Sequence, residues 1–248
     1  MTIKEFFDEN RTCALAFSGG VDSAYLLYAG IQYGADVHAY YVKSEFQPQF
    51  ELDDAKRLAG ELHANMTIIE MSVLPYENVT ENGPRRCYFC KQQIFSRIIA
   101  AAQADGYTLL LDGTNASDDA DDRPGMQALR ELSVRSPLRE CGLTKAEIRR
   151  LSKEAGLFTW DKPAYACLAT RIPTGTEITK EDLIATESAE SALFALGFTD
   201  FRVRKAGDAA KLQVPAGQLP MILEKRTEIL EKLKPYYQSI TLDLEVRS

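Results

Sequence analysis

The chain has 248 residues, of which 29 are Lys or Arg and 36 are Asp or Glu, so its formal net charge is −7. Hydrophobic residues make up 45% and charged residues 26%, a globular mixture that excludes a disordered or collagen-like chain. The length predicts one large domain or two smaller ones. The acidic balance argues against a broadly basic nucleic-acid-binding protein, because phosphate neutralisation requires an excess of Lys and Arg.

The sequence predicts a cytoplasmic protein with no membrane partner. No apolar run approaches the ~20 residues that cross a bilayer, and the N-terminal segment carries acids where a signal peptide would be apolar. The five cysteines then lie in a reducing compartment, where a disulfide framework is not expected. Grouped cysteines are therefore interpreted first as chemical groups.

The first half of the chain alternates short apolar runs with helical segments. The pattern predicts strands at 13–17, 37–42, 66–71 and 108–112, and helices at 22–33, 53–63 and 91–105. Strands that alternate with helices indicate an α/β fold with a parallel sheet covered on both faces. Thr144 and Glu147 then fit a capping box, which predicts a helix that ends at Ala155, before Gly156.

A segment with prolines and glycine but no periodicity, Trp160 to Gly175, is predicted to be an ordered loop. After it, the pattern predicts helices at 179–196 and 219–233 and short strands at 201–204, 211–214 and 240–246. We therefore predict two domains, at residues 1–175 and 176–248, the second a smaller α+β domain.

The strongest local signal is the run Ser18-Gly19-Gly20-Val21-Asp22-Ser23, which follows the first predicted strand and opens a helix. Two glycines let the backbone approach an anion, and the helix N-terminus presents unpaired N–H groups. Asp22 is unfavourable beside bare phosphate but suits a site in which Mg²⁺ lies between the two. The run is neither a Walker loop nor a dinucleotide fingerprint, and its structural alternative is a glycine-rich turn with a helix cap.

This hexapeptide resembles the PP-loop of the ATP pyrophosphatase superfamily, which splits ATP into AMP and pyrophosphate to adenylate a substrate. Further segments along nearly the whole chain resemble the LarE family of pyridinium-3,5-bisthiocarboxylic acid mononucleotide synthases. These segments are Arg86 to Lys91, Asp112-Gly113-Thr114-Asn115, Ser136-Pro137-Leu138, Leu143 to Arg149, Trp160 to Arg171 and Phe201 to Arg204.

The resemblance implies a Rossmann-like PP-loop domain, similar to adenine nucleotide alpha hydrolases, and a C-terminal domain for substrate binding and oligomerisation. It implies an ATP- and Mg²⁺-dependent sulfur transferase in the biosynthesis of the nickel-pincer nucleotide cofactor of lactate racemase. The family adenylates a carboxylate of pyridinium-3,5-biscarboxylic acid mononucleotide and then installs sulfur. This order is chemically sensible, because an acyl-adenylate has a good leaving group and a thiolate is a good nucleophile. The implied partners are the small nucleotide, further copies of the chain and a sulfide donor.

The sulfur source depends on the cysteines. In one branch of the family, the equivalent of Cys167 gives up its own sulfur and becomes dehydroalanine. In another, two cysteines of a Cys-x-x-Cys segment join it to hold a [4Fe-4S] cluster with an exchangeable sulfide. This chain has Cys87 and Cys90 in such a segment, and three thiolates leave one iron open, so we favour the cluster version.

Other interpretations of these cysteines stay open. A structural zinc site would ordinarily need four Cys or His ligands, and the two histidines, His38 and His63, fall in a predicted strand and helix. A redox dithiol would use Cys87 and Cys90 but leave Cys167 idle. Cys13, in an apolar strand, and Cys141, beside a turn, are predicted to be spectators.

Several polar residues are placed by the resemblance alone. Lys91 and Arg171 flank the cysteine segments and are candidates for binding phosphate or carboxylate. Arg202 and Arg204 alternate along a predicted strand and are expected to share one face, as a phosphate clamp would require. Weaker candidates are Asp118, Asp119 and Glu190. The predicted nucleotide-site and substrate-site residues are Ser18, Gly19, Gly20, Val21, Asp22, Ser23, Lys91, Asp112, Gly113, Thr114, Asn115, Arg171, Arg202 and Arg204.

Three other functions remain possible on the sequence alone. A cluster-dependent PP-loop tRNA thiolase is disfavoured by the net negative charge. An amidotransferase-like synthetase that uses ammonia would leave the three cysteines unexplained. A non-catalytic nucleotide-binding or iron–sulfur carrier module would not need Asp22, which suits metal-assisted adenylation.

Overall fold

A computed structural model describes residues 1–118 and 124–247. The chain divides into two compact units. The first unit comprises Met1–Val73 and Arg85–Lys162, and the second comprises Leu74–Pro84 and the chain from Pro163 onward. The boundary predicted between residues 175 and 176 falls inside the second unit. No helix of the described residues has the length and apolar character needed to cross a membrane.

The strands and helices follow one another in an order close to the predicted one. In chain order they are α1 (Ile3–Glu9), β1 (Thr12–Ala16), α2 (Val21–Gln32), β2 (Asp36–Lys43), α3 (Gln49–Glu61), β3 (Met66–Glu70), α4 (Glu77–Thr80), α5 (Arg86–Ala104), β4 (Leu110–Leu111), α6 (Pro124–Glu131), α7 (Pro137–Glu140), α8 (Lys145–Glu154), α9 (Lys180–Ala195), β5 (Arg202–Ala206), β6 (Ala209–Gln213), α10 (Leu219–Glu224), α11 (Arg226–Leu233) and β7 (Ser239–Leu242). Short 3₁₀ helices lie at Phe158–Asp161, Leu168–Arg171 and Ala216–Gln218.

The first unit is built on a parallel sheet with the strand order β3-β2-β1-β4. Connections between parallel strands must cross over the sheet, and here they carry helices. Since all four strands run the same way, their carboxyl ends meet at one edge, which is where open α/β sheets bind ligands. The α/β, Rossmann-like fold predicted from the sequence is confirmed.

Both faces of this sheet are covered by apolar side chains. Residues of β1 alternate between the faces, so Cys13 and Leu15 pack with Phe6 and Leu26 on one side. Ala14 faces the other side, where Tyr40, Phe95 and Ile98 are buried. This burial on both faces explains the nearly continuous apolar runs of the first two strands.

The second unit has a smaller mixed sheet, in which β5 pairs antiparallel with β6 and β6 pairs parallel with β7. Its apolar core includes Leu193 of α9, Val203 of β5 and Leu233 of α11. Thr179 caps α9 by accepting a hydrogen bond from the Asp182 amide at 3.1 Å.

Three predicted helices differ from those observed. The helix predicted at 53–63 runs from Gln49 to Glu61. The helix predicted from Lys91 begins at Arg86, so Cys87 and Cys90 both lie inside it. The predicted helix at 219–233 is two helices that meet at Lys225. The Lys225 amide still donates to the Met221 carbonyl and its own carbonyl accepts from Ile229, both at 2.9 Å, so the interruption is confined to one residue.

Candidate functional site

The run Ser18 to Ser23 leaves the carboxyl end of β1 and enters α2, whose N-cap is Gly20. Gly19 has φ +73°, and a Cβ there would lie 3.2 Å from the Cβ of Ala55 and 3.3 Å from the Glu51 carbonyl. Glycine is therefore required here for both conformation and space. The first amides of an α-helix have no partner within the helix, so the turn presents donors to an anion.

Two serines shape this turn. The Ser18 and Ser23 hydroxyls lie 3.0 Å apart, and Ser23 Oγ also accepts from the Ser18 amide at 3.3 Å and donates to the Gly20 carbonyl at 3.2 Å. Ser23 is buried, so its hydroxyl helps to fix the turn, whereas Ser18 is more exposed.

Asp22 projects from the first turn of α2 and meets two side chains from distant parts of the sequence. Its Oδ2 forms an ion pair with Lys145 Nζ, and its Oδ1 accepts from Asn115 Nδ2 at 3.4 Å. Burial raises the pKa of Asp22, and the hydrogen bond and charge of Lys145 oppose that rise, while Asp118 adds to it. Carboxylate oxygens are ligands for divalent cations, and in this structure the Asp22 carboxylate is paired with the Lys145 ammonium group instead.

The segment Asp112 to Asn115 follows β4 and packs directly against the PP-loop. A Cβ on Gly113 would lie 2.9 Å from the Ser23 amide nitrogen, so a larger residue would displace the loop. Asp112 is buried and accepts from Thr114 Oγ1 at 2.5 Å and from Ser136 Oγ at 2.6 Å. The two motifs thus lie together because β1 and β4 are neighbouring parallel strands.

Cys87 and Cys90 lie in the first turns of α5, three residues apart and so on one side of the helix. Cys87 is exposed and Cys90 is partly buried. Arg86 Nη2 lies 3.5 Å from Cys87 Sγ. Lys91 is half-buried, and burial lowers its pKa, while the negative charge of Asp112 opposes that shift.

A second group of predicted residues lies in the second unit, around the loop of Cys167. Arg171 is buried and forms an ion pair with Glu190 through two hydrogen bonds, of 2.8 and 3.1 Å. Its remaining nitrogen donates to the Ala166 carbonyl at 2.8 Å and the Cys167 carbonyl at 3.4 Å. Burial disfavours the charge of Arg171, but the hydrogen bonds and charge of Glu190 outweigh it and raise its pKa.

Arg202 and Arg204 hold the same loop from β5. The Arg202 guanidinium lies over the Tyr165 ring and donates to the Ala164 carbonyl. Arg204 donates to the Thr170 carbonyl at 2.8 Å and to Gln213. Burial lowers the pKa of Arg202 to about 10. Arg171, Arg202 and Arg204 thus form a clamp on the carbonyls around Cys167, and we call them the arginine clamp.

A cavity of about 490 Å³ opens beside this clamp. Arg204 lines it, whereas Arg202 is turned to the loop backbone. Lys205 and Lys211 also line it, and each is paired with an acid, Asp182 and Asp243 respectively. The cavity is therefore cationic but partly neutralised, as a site for a phosphorylated ligand can be.

The weaker acidic candidates have structural partners. Glu190 accepts from Arg171, from Tyr165 Oη and from the Val203 amide at 2.9 Å, which makes it part of the loop support. Asp118 accepts from the Asn115 amide at 3.0 Å and stabilises a turn. Asp119 lies outside the described residues.

Sequence reasoning missed Lys145, Ser136 and Arg149. Lys145 pairs with Asp22, Ser136 donates to Asp112, and Arg149 donates to the carbonyls of Trp160 and Lys162 at 2.6 and 2.8 Å. Their segments were recognised as family motifs, but nothing local in the sequence tells which side chain turns to the Ser18 to Ser23 turn or to the residues packed against it. Within either unit, the described residues include no group of three or more His, Cys, Asp or Glu side chains placed to hold a metal ion.

The chain is similar to three known proteins over most of its length. It is 35% identical over 249 residues to an uncharacterised protein of Synechocystis, covering 98% of this chain and 92% of that protein. It is 29% identical over 245 residues to an uncharacterised protein of Methanocaldococcus jannaschii, covering 98% and 93%. No family model matches the chain.

The third relative has a named activity. The chain is 34% identical over 233 residues to the pyridinium-3,5-bisthiocarboxylic acid mononucleotide synthase of Lactiplantibacillus plantarum, covering 93% of this chain and 84% of that protein. A match over 93% of the chain extends across most of both units. The chain therefore belongs to the pyridinium-3,5-bisthiocarboxylic acid mononucleotide synthase family.

Proposed function

We propose that this protein is an ATP-dependent sulfur transferase of nickel-pincer nucleotide biosynthesis. The observation that carries the proposal is the 34% identity, over 93% of the chain, to a pyridinium-3,5-bisthiocarboxylic acid mononucleotide synthase. In this proposal the protein adenylates a carboxylate of pyridinium-3,5-biscarboxylic acid mononucleotide, releases pyrophosphate, and replaces the activated oxygen with sulfur.

The nucleotide would bind at the carboxyl edge of the parallel sheet. The donors of the Ser18 to Ser23 turn suit its phosphates, and Asp22 would hold Mg²⁺, which supplies charge neutralisation for the phosphates. A cavity of about 540 Å³ lies at the carboxyl ends of β2 and β3, lined by Lys43, Ser44, Glu45, Glu70, Met71 and Ser72. Its position favours it for the adenosine part.

The acceptor is an anion, and the cavity beside the arginine clamp is its proposed site. Arg204, Lys205 and Lys211 would attract the phosphate of the nucleotide substrate. The clamp itself, which binds four backbone carbonyls of residues 164–170, would keep Cys167 in one position. A fixed thiol reacts faster than a mobile one, because the ordering has been completed before the reaction.

For the sulfur source we propose a [4Fe-4S] cluster held by Cys87, Cys90 and Cys167. Cys87 and Cys90 fit this use, because they lie three residues apart at an exposed helix start. When bound, the cluster would supply an exchangeable sulfide at its open iron. In the alternative, Cys167 attacks the acyl-adenylate and displaces AMP. Loss of the Cys167 Cα proton then breaks the Cβ–Sγ bond, which releases the thiocarboxylate and leaves dehydroalanine.

Anaerobic assays on the full chain test the proposal. Protein supplied with ATP, Mg²⁺ and the biscarboxylate nucleotide should release pyrophosphate and form a thiocarboxylate over many turnovers. Cys87→Ala and Cys90→Ala should abolish iron and acid-labile sulfide binding, whereas the matched variant Cys141→Ala should retain both. Pyrophosphate release without any thiocarboxylate would contradict the sulfur-transfer function.

The same experiment separates the two sulfur sources. A single turnover accompanied by loss of H₂S from Cys167, seen in the intact protein mass, would replace the cluster with the sacrificial mechanism. Activity on tRNA but not on the nucleotide would replace the substrate.

A further inference from the structure

We propose that Lys145 exchanges partners during catalysis, leaving Asp22 for the β-phosphate of ATP and stabilising pyrophosphate as it departs. This inference rests on the proposed cleavage of ATP between its α- and β-phosphates. It assigns a role in the reaction to a side chain that the sequence analysis did not single out. Three observations support this role: the fixed backbone of Lys145, its ion pair with Asp22, and the partners that neighbouring cations already have.

The backbone of Lys145 is fixed from two sides. Lys145 is the first residue of α8, and its amide donates to Ser117 Oγ at 3.0 Å. Immediately before it, Thr144 and Glu147 form a complete capping box. The Cα position is therefore defined, and the flexible methylene chain is the part that can redirect the ammonium group.

The ion pair of Lys145 lies at the nucleotide loop and is accessible. The side chains of Lys145 and Asp22 retain 34% and 22% of their exposure, so the pair is not sealed in the protein interior. Asp22 stands in the turn that offers amides and hydroxyls to phosphate, where an unpaired carboxylate would repel the ligand. Pairing with Lys145 neutralises that carboxylate while the loop is empty, and a bound cation would do so when the nucleotide is present.

Two other cations beside Lys145 already have partners that occupy them. Arg149, one turn after Lys145, donates to two backbone carbonyls of residues 160 and 162. Lys162 forms ion pairs with Glu51 at 2.9 Å and Asp54 at 2.7 Å. Lys145 is thus the cation of this group whose partner is itself a residue of the nucleotide loop.

The chemistry of adenylation calls for a cation at this point. A carboxylate oxygen of the acceptor attacks the α-phosphorus, and the bond between that phosphorus and the bridging oxygen breaks. The electron pair goes to the departing pyrophosphate, which gains negative charge, with no proton transfer or redox change. An ammonium group positioned at the β-phosphate stabilises that developing charge more than it stabilises bound ATP.

Binding of inorganic pyrophosphate and of AMP, each with Mg²⁺, tests the assignment by isothermal titration calorimetry. Lys145→Met should weaken pyrophosphate binding about tenfold or more, as expected for a lost charged hydrogen bond, while AMP affinity stays within about twofold. Lys145→Arg should restore most of the loss. Lys56→Met removes an exposed lysine of α3 and should bind both ligands like the wild type.

A second variant tests the exchange itself. Asp22→Asn frees Lys145, so in the presence of a chelator it should bind pyrophosphate more tightly than the wild type does. Equal losses of AMP and pyrophosphate affinity in Lys145→Met, unchanged pyrophosphate affinity, or no gain in Asp22→Asn would each overturn the proposal. These binding measurements need no acceptor, so a failure to form thiocarboxylate would count against the proposed function and not against this inference.

Discussion

Arg171 and Glu190 form a buried ion pair whose side chains are 0% and 2% exposed. Glu190 also accepts hydrogen bonds from Tyr165 Oη and from the Val203 amide, so one carboxylate joins the Cys167 loop, α9 and β5. Such a pair is weak evidence for net stability, yet the loss of one member leaves a charge without compensation in the interior. The arginine clamp therefore depends on Glu190.

Glu190→Ala should destabilise the second unit by about 3–5 kcal/mol, because it leaves the Arg171 charge buried and unpaired. Unfolding in urea should be followed by far-UV circular dichroism, since the single tryptophan, Trp160, belongs to the first unit. Glu231→Ala, which removes an exposed carboxylate of α11, is the control and should change little. A Glu190→Ala protein as stable as the control would show that the pair contributes nothing.

The site residues that the sequence predicted best are those whose interacting groups lie close together along the chain. The turn from Ser18 to Ser23 could be predicted because strand, glycines and helix start follow one another within a few positions. The Asp22–Lys145 pair could not, because a long stretch of chain separates its members and lysine at a helix start fits many roles. The three arginines of the clamp were singled out in the sequence, but their carbonyl partners were not, since backbone carbonyls leave no mark in a sequence.

At the scale of elements, α8 brings the capping box, Lys145 and Arg149 to the nucleotide side of the first unit. Thr144 Oγ1 accepts from the Glu147 amide at 3.3 Å, and the Glu147 carboxylate accepts from the Thr144 amide at 3.1 Å. The sequence pattern predicted this cap, and the structure confirms it. The cap is important because Lys145, the residue directly after the N-cap, carries the ammonium group that pairs with Asp22.

Thr144→Ala should lower the free energy of unfolding of the first unit by about 0.5–2 kcal/mol, through the loss of a helix cap. Trp160 fluorescence in urea measures it, because Arg149 of α8 holds the Trp160 carbonyl. Thr144→Ser keeps the capping oxygen and should stay close to the wild type. Equal midpoints for the alanine and serine variants would mean that the cap does not stabilise α8.

The start of α8 was predicted well because a capping box marks it, whereas the start of α5 was predicted poorly. The N-cap of α5 is Arg85, whose side chain makes no capping hydrogen bond, so nothing in the sequence marks the start five residues before Lys91. The helix α1 also carries a capping box, formed by Thr2 and Glu5. It was not predicted from the sequence, because it is a single short element of seven residues. Its apolar residues Ile3, Phe6 and Phe7 show the helical spacing that buries them.

At the scale of the whole molecule, the five cysteines occupy distinct environments. Cys13 is fully buried in β1, and burial raises the pKa of its thiol to about 12. Cys87 is exposed, and Cys90, Cys141 and Cys167 are partly buried. This distribution agrees with the sequence prediction that Cys13 is a packing residue. Because the cysteines differ in exposure, their reactivity can report on solvent access and on ligation.

Brief alkylation of metal-free protein at about pH 8 should modify Cys87 first and leave Cys13 unmodified until urea is added, because only thiolates in contact with solvent react. Peptide mass spectrometry measures each site. In anaerobically reconstituted protein, Cys87, Cys90 and Cys167 should become protected together while Cys141 continues to react. Protection of Cys141 in parallel with the other three would point to general tightening of the fold instead of ligation.

The fold class was accessible from the sequence because alternating strands and helices leave few parallel arrangements. The strand order of the sheet required the structure, since apolar runs do not say which strands are neighbours. That order puts β4 beside β1 and so brings Gly113 against the Ser23 amide. The candidate site at this edge of the sheet is therefore a product of topology as much as of the glycine motif.

This contact between distant segments has a consequence for folding of the chain during its synthesis. On the ribosome, the turn from Ser18 to Ser23 emerges early, but Gly113 and Lys145 follow only after much more chain has been made. Pairing of β1 with β4 closes a long loop, a step whose entropic cost tends to slow folding. A nascent chain that ends before Gly113 thus contains the Ser18 to Ser23 turn without its contact to Gly113 and without the Lys145 partner of Asp22. The candidate site is therefore completed late in synthesis.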